Sequence, residues 1–300
     1  MKKVVILCGG IGGAKLVKGF YPNSEIDLTV IVNTGDDALI HGVYLSPDLD
    51  SVIYALAKVE GEYGWGRMND SFYANKVFSE LMGGFDFKLG DMDLGLNLFR
   101  TQMLNEGKTL TEITHLISNH FGLKNNIYPM TNDLVQTQVL TENDDLLGFQ
   151  DYFVLQKATP KIKEVFYSGS TKAYVENEII NKVRNSDLVV IAPSNPVLSI
   201  KPILSINIYS KAVLEHKKVI LVSPFIQNKT VKGPAASNFM DLGYTPNSSG
   251  LKEFYRGSIN QIIVHNGDKE RIDGVKIIET NTIMKTTKES IDLANIILNI

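Results

Sequence analysis

Two regimes alternate along the chain, short unbroken apolar runs and longer stretches with helical spacing, and their order predicts an α/β fold. Residues 2–8, KKVVILC, make a β-branched run of the kind buried on both faces of a parallel sheet. Glycines follow, then the amphipathic AKLVKGF (14–20), and DLTVIVN (27–33) repeats the strand pattern, so the opening reads as a βαβ unit. From PDLDSVIYALAKV the spacing turns helical: Asp48 can cap, and Val52, Ile53, Leu56 and Val59 share a face. Further helices are predicted over SFYANKVFSEL (71–81), over 94–105, and from the capping box Thr109-x-x-Glu112 to Gly122.

Residues 127–170 change character. VQTQVL (135–140) and DYFVLQ (151–156) read as strands of a hairpin or small antiparallel lobe, with the polar turn TENDD after the first. Strand patterns then resume at DLVVIAPSNP, KKVILVSPF, INQIIVHN and GVKIIET, and a helix closes the chain near 288–297. The expectation is a doubly wound, Rossmann-like, mainly parallel sheet in one domain over 1–300, with a smaller α+β lobe inserted at about 60–170. In such sheets ligands bind beyond the carboxyl ends of the strands, where these Gly-, Asp-, Ser- and Asn-rich loops converge.

Composition changes this picture only by exclusion. With 21% charged residues and a formal net charge of -3, nothing favours nucleic acid or a membrane surface as partner. The one cysteine, Cys8, rules out an intramolecular disulfide and a cysteine-based zinc site. No run of ~18 apolar residues occurs, and the apolar start is cut short by glycines, so a cytoplasmic protein is expected.

The loops carry the candidate chemistry. GGIGGAKL, with Gly9, Gly10, Gly12, Gly13 and Lys15, offers backbone N–H groups to a phosphate, or is simply a tight strand-to-helix turn. It is neither a P-loop, since Leu16 follows Lys15, nor a dinucleotide fingerprint, which needs Gly at 15. NTGDDALIHGVYLSPDLD (33–50) gathers Asp36, Asp37, Asp48 and Asp50 without a lysine or arginine. Such carboxylates must be solvated, paired or bound to metal, and oxygen ligands without His or Cys suit Mg²⁺. The alternative is that Asp48 caps a helix and Asp36 and Asp37 shape a turn. Further along stand Lys88, Asp91, Asp93 and Arg100, where Asp91 or Asp93 can be an N-cap and Arg100 can pair on the helix surface. In APSNPVLSIKPIL, Ser194, Asn195 and Pro196 close a strand in a turn suited to a phosphate or a base edge. Of the five histidines only His41, inside the acidic loop, is a site candidate. Ser194 lacks a nucleophile elbow and Cys8 lacks a flanking base, which leaves phosphoryl transfer assisted by Mg²⁺ and carboxylates.

Taken in order, GGIGGAKL, NTGDDALIHG, SPDLDSVIY, GWGRMNDSF, KLGDMDL with RTQML, PMTND, PSNPVLSIKPIL and VSPFI with VKGPAA make a chain that resembles the 2-phospho-L-lactate transferase family. The resemblance implies a step of coenzyme F420 biosynthesis. A phospholactyl or phosphoenolpyruvyl group passes from a guanosine diphosphate donor to the ribityl hydroxyl of the deazaflavin Fo, with Mg²⁺ as cofactor and GMP as product. It further implies a homodimer. The donor would lie over Gly9–Gly13 with Ser194 and Asn195 at the guanosine end. Asp50, aided by Asp37, would contact the Fo hydroxyl or the metal, and Lys88 and Trp65 would meet Fo. The chain departs from the family pattern at Met92 and Asn97, where the family carries Arg and His. An NAD-dependent oxidoreductase and a non-catalytic nucleotide sensor are the rival readings.

Overall fold

The apolar runs become the strands of one parallel sheet in the computed structural model, which describes all of residues 1–300 except 63, 85–86, 125 and 232. The chain opens with β1 (Lys2–Cys8), α1 (Gly10–Phe20), β2 (Ile26–Val32), the short strands β3 (Ala38–Ile40) and β4 (Val43–Leu45), and α2 (Pro47–Ala57). Helices α3 (Tyr73–Met82), α4 (Asp91–Asn105) and α5 (Leu110–His120) lead to β5 (Ile127–Pro129). Next come β6 (Gln136–Thr141), β7 (Leu146–Gly148), a π-helical turn Asp151–Leu155, β8 (Ile162–Ser168), α6 (Asn177–Arg184) and β9 (Leu188–Ile191). A second π-helical turn, Pro196–Ile200, runs into α7 (Lys201–Ser205), α8 (Asn207–Leu214) and β10 (Val219–Val222). The remainder is β11 (Phe225–Ile226), β12 (Lys229–Thr230), α9 (Ala235–Asp241), α10 (Ser248–Tyr255), β13 (Gln261–His265), β14 (Lys276–Thr280) and α11 (Thr287–Asn299).

The main sheet has the order β14-β13-β10-β9-β1-β2-β5, all parallel. Its central strand alternates between two cores. Val4, Ile6 and Cys8 pack with α1, α2 and α11, whereas Val5 and Leu7 face the core built from α6, α8 and the β6–β8 lobe. Complete burial of such a side chain contributes about 1.5–3 kcal/mol, which is why this run tolerates no polar position. From β1 the chain winds outward to β2 and β5, then returns to β9 and winds the other way, so the switch point lies between β1 and β9. The loops leaving these two strands, 9–13 and 192–196, therefore part at the crevice where ligands of this architecture sit.

The separate antiparallel sheet β7-β6-β8 carries the TENDD turn, with Asp144 in the left-handed region. β5 lies inside the 60–170 span yet pairs with β2 in the main sheet. Two local expectations are corrected. DYFVLQ is a π-helical turn because Tyr152 is drawn into the core, its hydroxyl accepting from Asn238 Nδ2 (2.8 Å), while Phe153 stacks on Phe149 at 5.2 Å. α4 begins at Asp91, three residues early, because Asp70 accepts from the N–H groups of Met92 (2.8 Å) and Asp93 (3.2 Å) and so caps it from a distant loop. The Thr109–Glu112 capping box forms as predicted. No single helix among the described residues is long and apolar enough to cross a membrane.

Candidate functional site

At the switch point the glycine loop is packed too closely for any other residue. A Cβ on Gly9 would stand 2.2 Å from Asp48 Oδ2, and one on Gly12 would stand 2.4 Å from the Pro193 carbonyl. Ser194 ties the two diverging strand ends together: its hydroxyl donates to the Gly9 carbonyl (2.6 Å) and accepts from the Gly9 N–H (3.1 Å). Asn195 Oδ1 accepts from the N–H groups of Val197 (3.0 Å) and Leu198 (3.1 Å), capping the π-turn that Pro196 opens, and its Nδ2 donates to Asn238. Both side chains are thus engaged in holding the loop. Gly13 is buried beneath Gly12, and Lys15 is half-buried one turn into α1.

The acidic loop folds against this turn. Asn33, at the end of β2, donates from Nδ2 to Asp36 Oδ1 (3.1 Å) and Asp48 Oδ2 (3.0 Å) and accepts from the Gly35 N–H (2.8 Å). Asp48 Oδ1 accepts from the Gly10 N–H at 2.6 Å. Asp48 therefore caps α1, a neighbouring helix, and not its own, and a carboxylate occupies one of the N–H groups expected to meet phosphate. Burial, then mutual repulsion, raises Asp36 well above the ordinary carboxylate range; burial raises Asp48 as well, against the hydrogen bonds from Asn33 and Gly10. Gln150 Nε2 and Thr137 N–H clamp the loop from the antiparallel lobe through the carbonyls of Asp36 (2.7 Å) and Gly35 (2.6 Å).

Arg100 corrects the expectation of a surface ion pair. It is 1% exposed, and its two terminal nitrogens meet the two oxygens of Asp50, Nη1 to Oδ2 at 3.2 Å and Nη2 to Oδ1 in a shorter contact. Asn97 Oδ1 also accepts from Nη1. Asp37 lies alongside: Oδ2 accepts from the Ser46 hydroxyl, but Oδ1 is buried without a hydrogen-bond partner. Burial pushes Asp37 well above its usual range, with the Ser46 hydroxyl, Arg100 and the Tyr44 hydroxyl opposing. Two buried carboxylates, Asp50 and Asp37, thus act on one guanidinium, with buried Asp36 and Asp48 in the same loop, an excess of negative charge that a cation or a proton must offset. Among the described residues no three His, Cys, Asp or Glu side chains converge as a metal-ligand set. Asp36, Asp37 and Asp50 share the loop's pocket but sit in separate partnerships.

The remaining expected positions lie on the rim. Asp91 accepts from Ser71 Oγ (2.6 Å) and the N–H groups of Tyr73 (3.1 Å) and Ala74 (3.0 Å), so its carboxylate caps α3. These bonds hold it below the usual carboxylate range, the Ser71 hydroxyl most strongly. Asp93 accepts from the Tyr54 hydroxyl (2.7 Å), and burial raises it to about 6. Lys88 is exposed ahead of α4. Trp65 is half exposed, next to Gly64, which lies close to Ile11 at the start of α1. His41 is not in the acidic cluster: it sits exposed at the tip between β3 and β4, its ring 4.5 Å from that of Phe78. The sequence reading missed Asn33 and Ser46, whose only signal was their place at the two ends of the acidic stretch.

An open α/β sheet whose switch-point loops enclose carboxylates, a buried arginine and a glycine turn defines an enzyme of the group-transfer class. Residues 4–295 match the family described as 2-phospho-L-lactate transferase CofD, and the chain belongs to that family. It is 39% identical over 305 residues to a 2-phospho-L-lactate transferase of Methanocaldococcus jannaschii, covering 98% of this chain and 97% of that protein. A 2-phospho-L-lactate transferase of Methanopyrus kandleri is 36% identical over 304 residues, covering 99% and 97%. A crystal structure of a UPF0052-family protein from Bacillus halodurans superposes with a TM-score of 0.69 at 18% identity, covering 99% of this chain and all of that one, and shares the fold.

Proposed function

We propose that this transferase moves a 2-phospholactyl or phosphoenolpyruvyl group from a guanosine diphosphate donor to the ribityl hydroxyl of Fo, releasing GMP in coenzyme F420 biosynthesis. In that reaction the alcohol oxygen bonds to the phosphorus nearer the three-carbon acid, the bridging P–O bond to GMP breaks, and the alcohol proton passes to a carboxylate. The single observation that carries the reading is the buried Asp37 Oδ1 without a partner, beside the Arg100–Asp50 pair at the mouth of a full-length family fold. In this reading Asp50, fixed by Arg100, orients the acceptor hydroxyl, and Asp37 stands beside it.

The donor set fits Mg²⁺ in kind, because the orphaned oxygen and its neighbours are hard oxygen ligands in an excess of negative charge. Asp37 would hold it first, with Asp50 or Asp36 beside it. When bound it supplies charge neutralisation and alignment of phosphate oxygens. In this reading Gly12 and Gly13, with Lys15, support the donor diphosphate, and Gly9 and Gly10 shape the turn through their bonds to Ser194 and Asp48. Ser194, Asn195 and Pro196 act by shaping the loop under the guanosine end. Lys88 and Trp65 line the approach of Fo, Arg100 acts beneath it by holding Asp50, and Asp91 serves it by anchoring α3. The family homodimer is tested by sedimentation.

Incubation with Fo, Mg²⁺ and each candidate donor, followed by the product's mass, tests the reading. Fo extended by the phosphorylated acid, with GMP formed in equal amount, is the expected result. Absence of both from every donor rejects it.

A further inference from the structure

Arg100 is the largest completely buried side chain among the described residues, yet Asp50 satisfies only part of it. Its two-pronged contact with Asp50 uses one hydrogen on each terminal nitrogen. The second hydrogen of Nη1 points back to α4, where Asn97 Oδ1 accepts it. The Tyr44 carbonyl also stands 3.5 Å from Nη1, at the limit of a hydrogen bond. The orientation of the Asn97 amide is itself set, because its Nδ2 donates to the Asp93 carbonyl at 2.8 Å. Turned the other way, the amide would put a donor against a donor and lose both bonds. Asn97 is 3% exposed, so water is no ready substitute.

We propose that Asn97 is a positioning residue: it fixes the rotation of the Arg100 guanidinium, and through it holds the Asp50 carboxylate in the plane from which it meets the acceptor hydroxyl. The last clause rests on the transferase reading above; the effect on Arg100 does not.

Asn97→Leu keeps the branched shape and removes the acceptor, whereas Asn97→Asp keeps the acceptor. Two measurements are made on each full-length variant: ¹⁵N spectra of the guanidinium groups, with Arg100 identified by its loss in Arg100→Lys, and steady-state turnover with Fo and donor. Slowly exchanging Arg100 Nη signals are expected in the wild type, absent in Asn97→Leu and restored in Asn97→Asp. Turnover is expected to fall about 10- to 100-fold in kcat for Asn97→Leu, the usual cost of losing such a supporting contact, with the donor KM little changed. Asn97→Asp is expected to recover most of that loss. Should Asn97→Leu fail to fold, Asn97→Ser makes the same comparison with a hydroxyl too short to reach Nη1. Unchanged Arg100 signals in the acceptor-less variant, or equal loss in Asn97→Asp, would overturn the proposal. Signals that respond as expected in a wild-type protein that makes no product would leave the positioning intact and reject the transferase reading instead.

Discussion

The acidic loop and the α3–α4 segment solve opposite problems. In the first, polar groups lie inside: Asn33, Asp36, Asp37, Asp48 and Asp50 are all buried, and almost every oxygen is held by a named neighbour. In the second, apolar groups lie outside. None of the ten side chains of α3 is fully buried, and Tyr73 and Leu81 are 77% and 82% exposed. What holds α3 and α4 together is a reciprocal exchange of caps, Asp91 onto the start of α3 and Asp70 onto the start of α4. The contrast shows where this fold places rigidity. Charges that must keep their geometry are buried and cross-linked between the loop after β2, α2 and α4, whereas the rim is held by helix-end carboxylates and leaves apolar side chains such as Tyr73 and Leu81 exposed.

The sharpest way to break the comparison is to remove one partner of the buried ion pair. Arg100→Met and Asp50→Asn are each expected to cost roughly 3–5 kcal/mol in urea denaturation, since each strands the other partner away from water. Turnover should fall by at least two orders of magnitude in both, and the stability losses of the double variant should sum to less than those of the singles. A stable, active Asp50→Asn enzyme would show that the pair is neither buried nor used. Gly12→Ala comes next: its Cβ meets a backbone carbonyl that cannot swing aside, so a loss of about 1–3 kcal/mol is expected together with a shifted loop in a crystal structure.

Asp93, between the two regions, sharpens the boundary through pH. Its carboxyl is raised from 3.8 to about 6 in the folded protein, so the folded state holds a proton that the unfolded chain has already released. The stability this gives is complete below pH 3.8 and is lost as pH rises through 6. Asp93→Asn should flatten the thermal profile over that window by roughly 1–2 kcal/mol, allowing for partial solvent screening; an unchanged profile would remove Asp93 as its source. The smallest effect belongs to the rim. Leu81→Lys should change stability by less than about 0.5 kcal/mol, and a larger loss in dilute solution would mean that something covers α3.

Much of the fold was legible because its strands are apolar on both faces and its helices carry local end signals, as with KKVVILC and the Thr109–Glu112 box. The site was legible as a set of loops but not as a set of partners. Arg100 reads as an ordinary charged position on a helix, and only tertiary packing reveals that it meets Asp50, fifty residues away in sequence. Asp48 stands where a helix cap belongs, yet the closeness of α1 offers it the Gly10 N–H instead. The strand pattern of DYFVLQ was outweighed by the buried anchor of Tyr152. In each case the deciding contact lies far along the chain, beyond the reach of periodicity.

The double hydrogen bond between Ser194 and Gly9 has a thermodynamic corollary. One hydroxyl splices the ends of two non-consecutive chain segments into a single surface before any ligand arrives, so the entropy of shaping that floor is spent during folding. Whatever docks there meets a mould already set, and its affinity reflects fit alone.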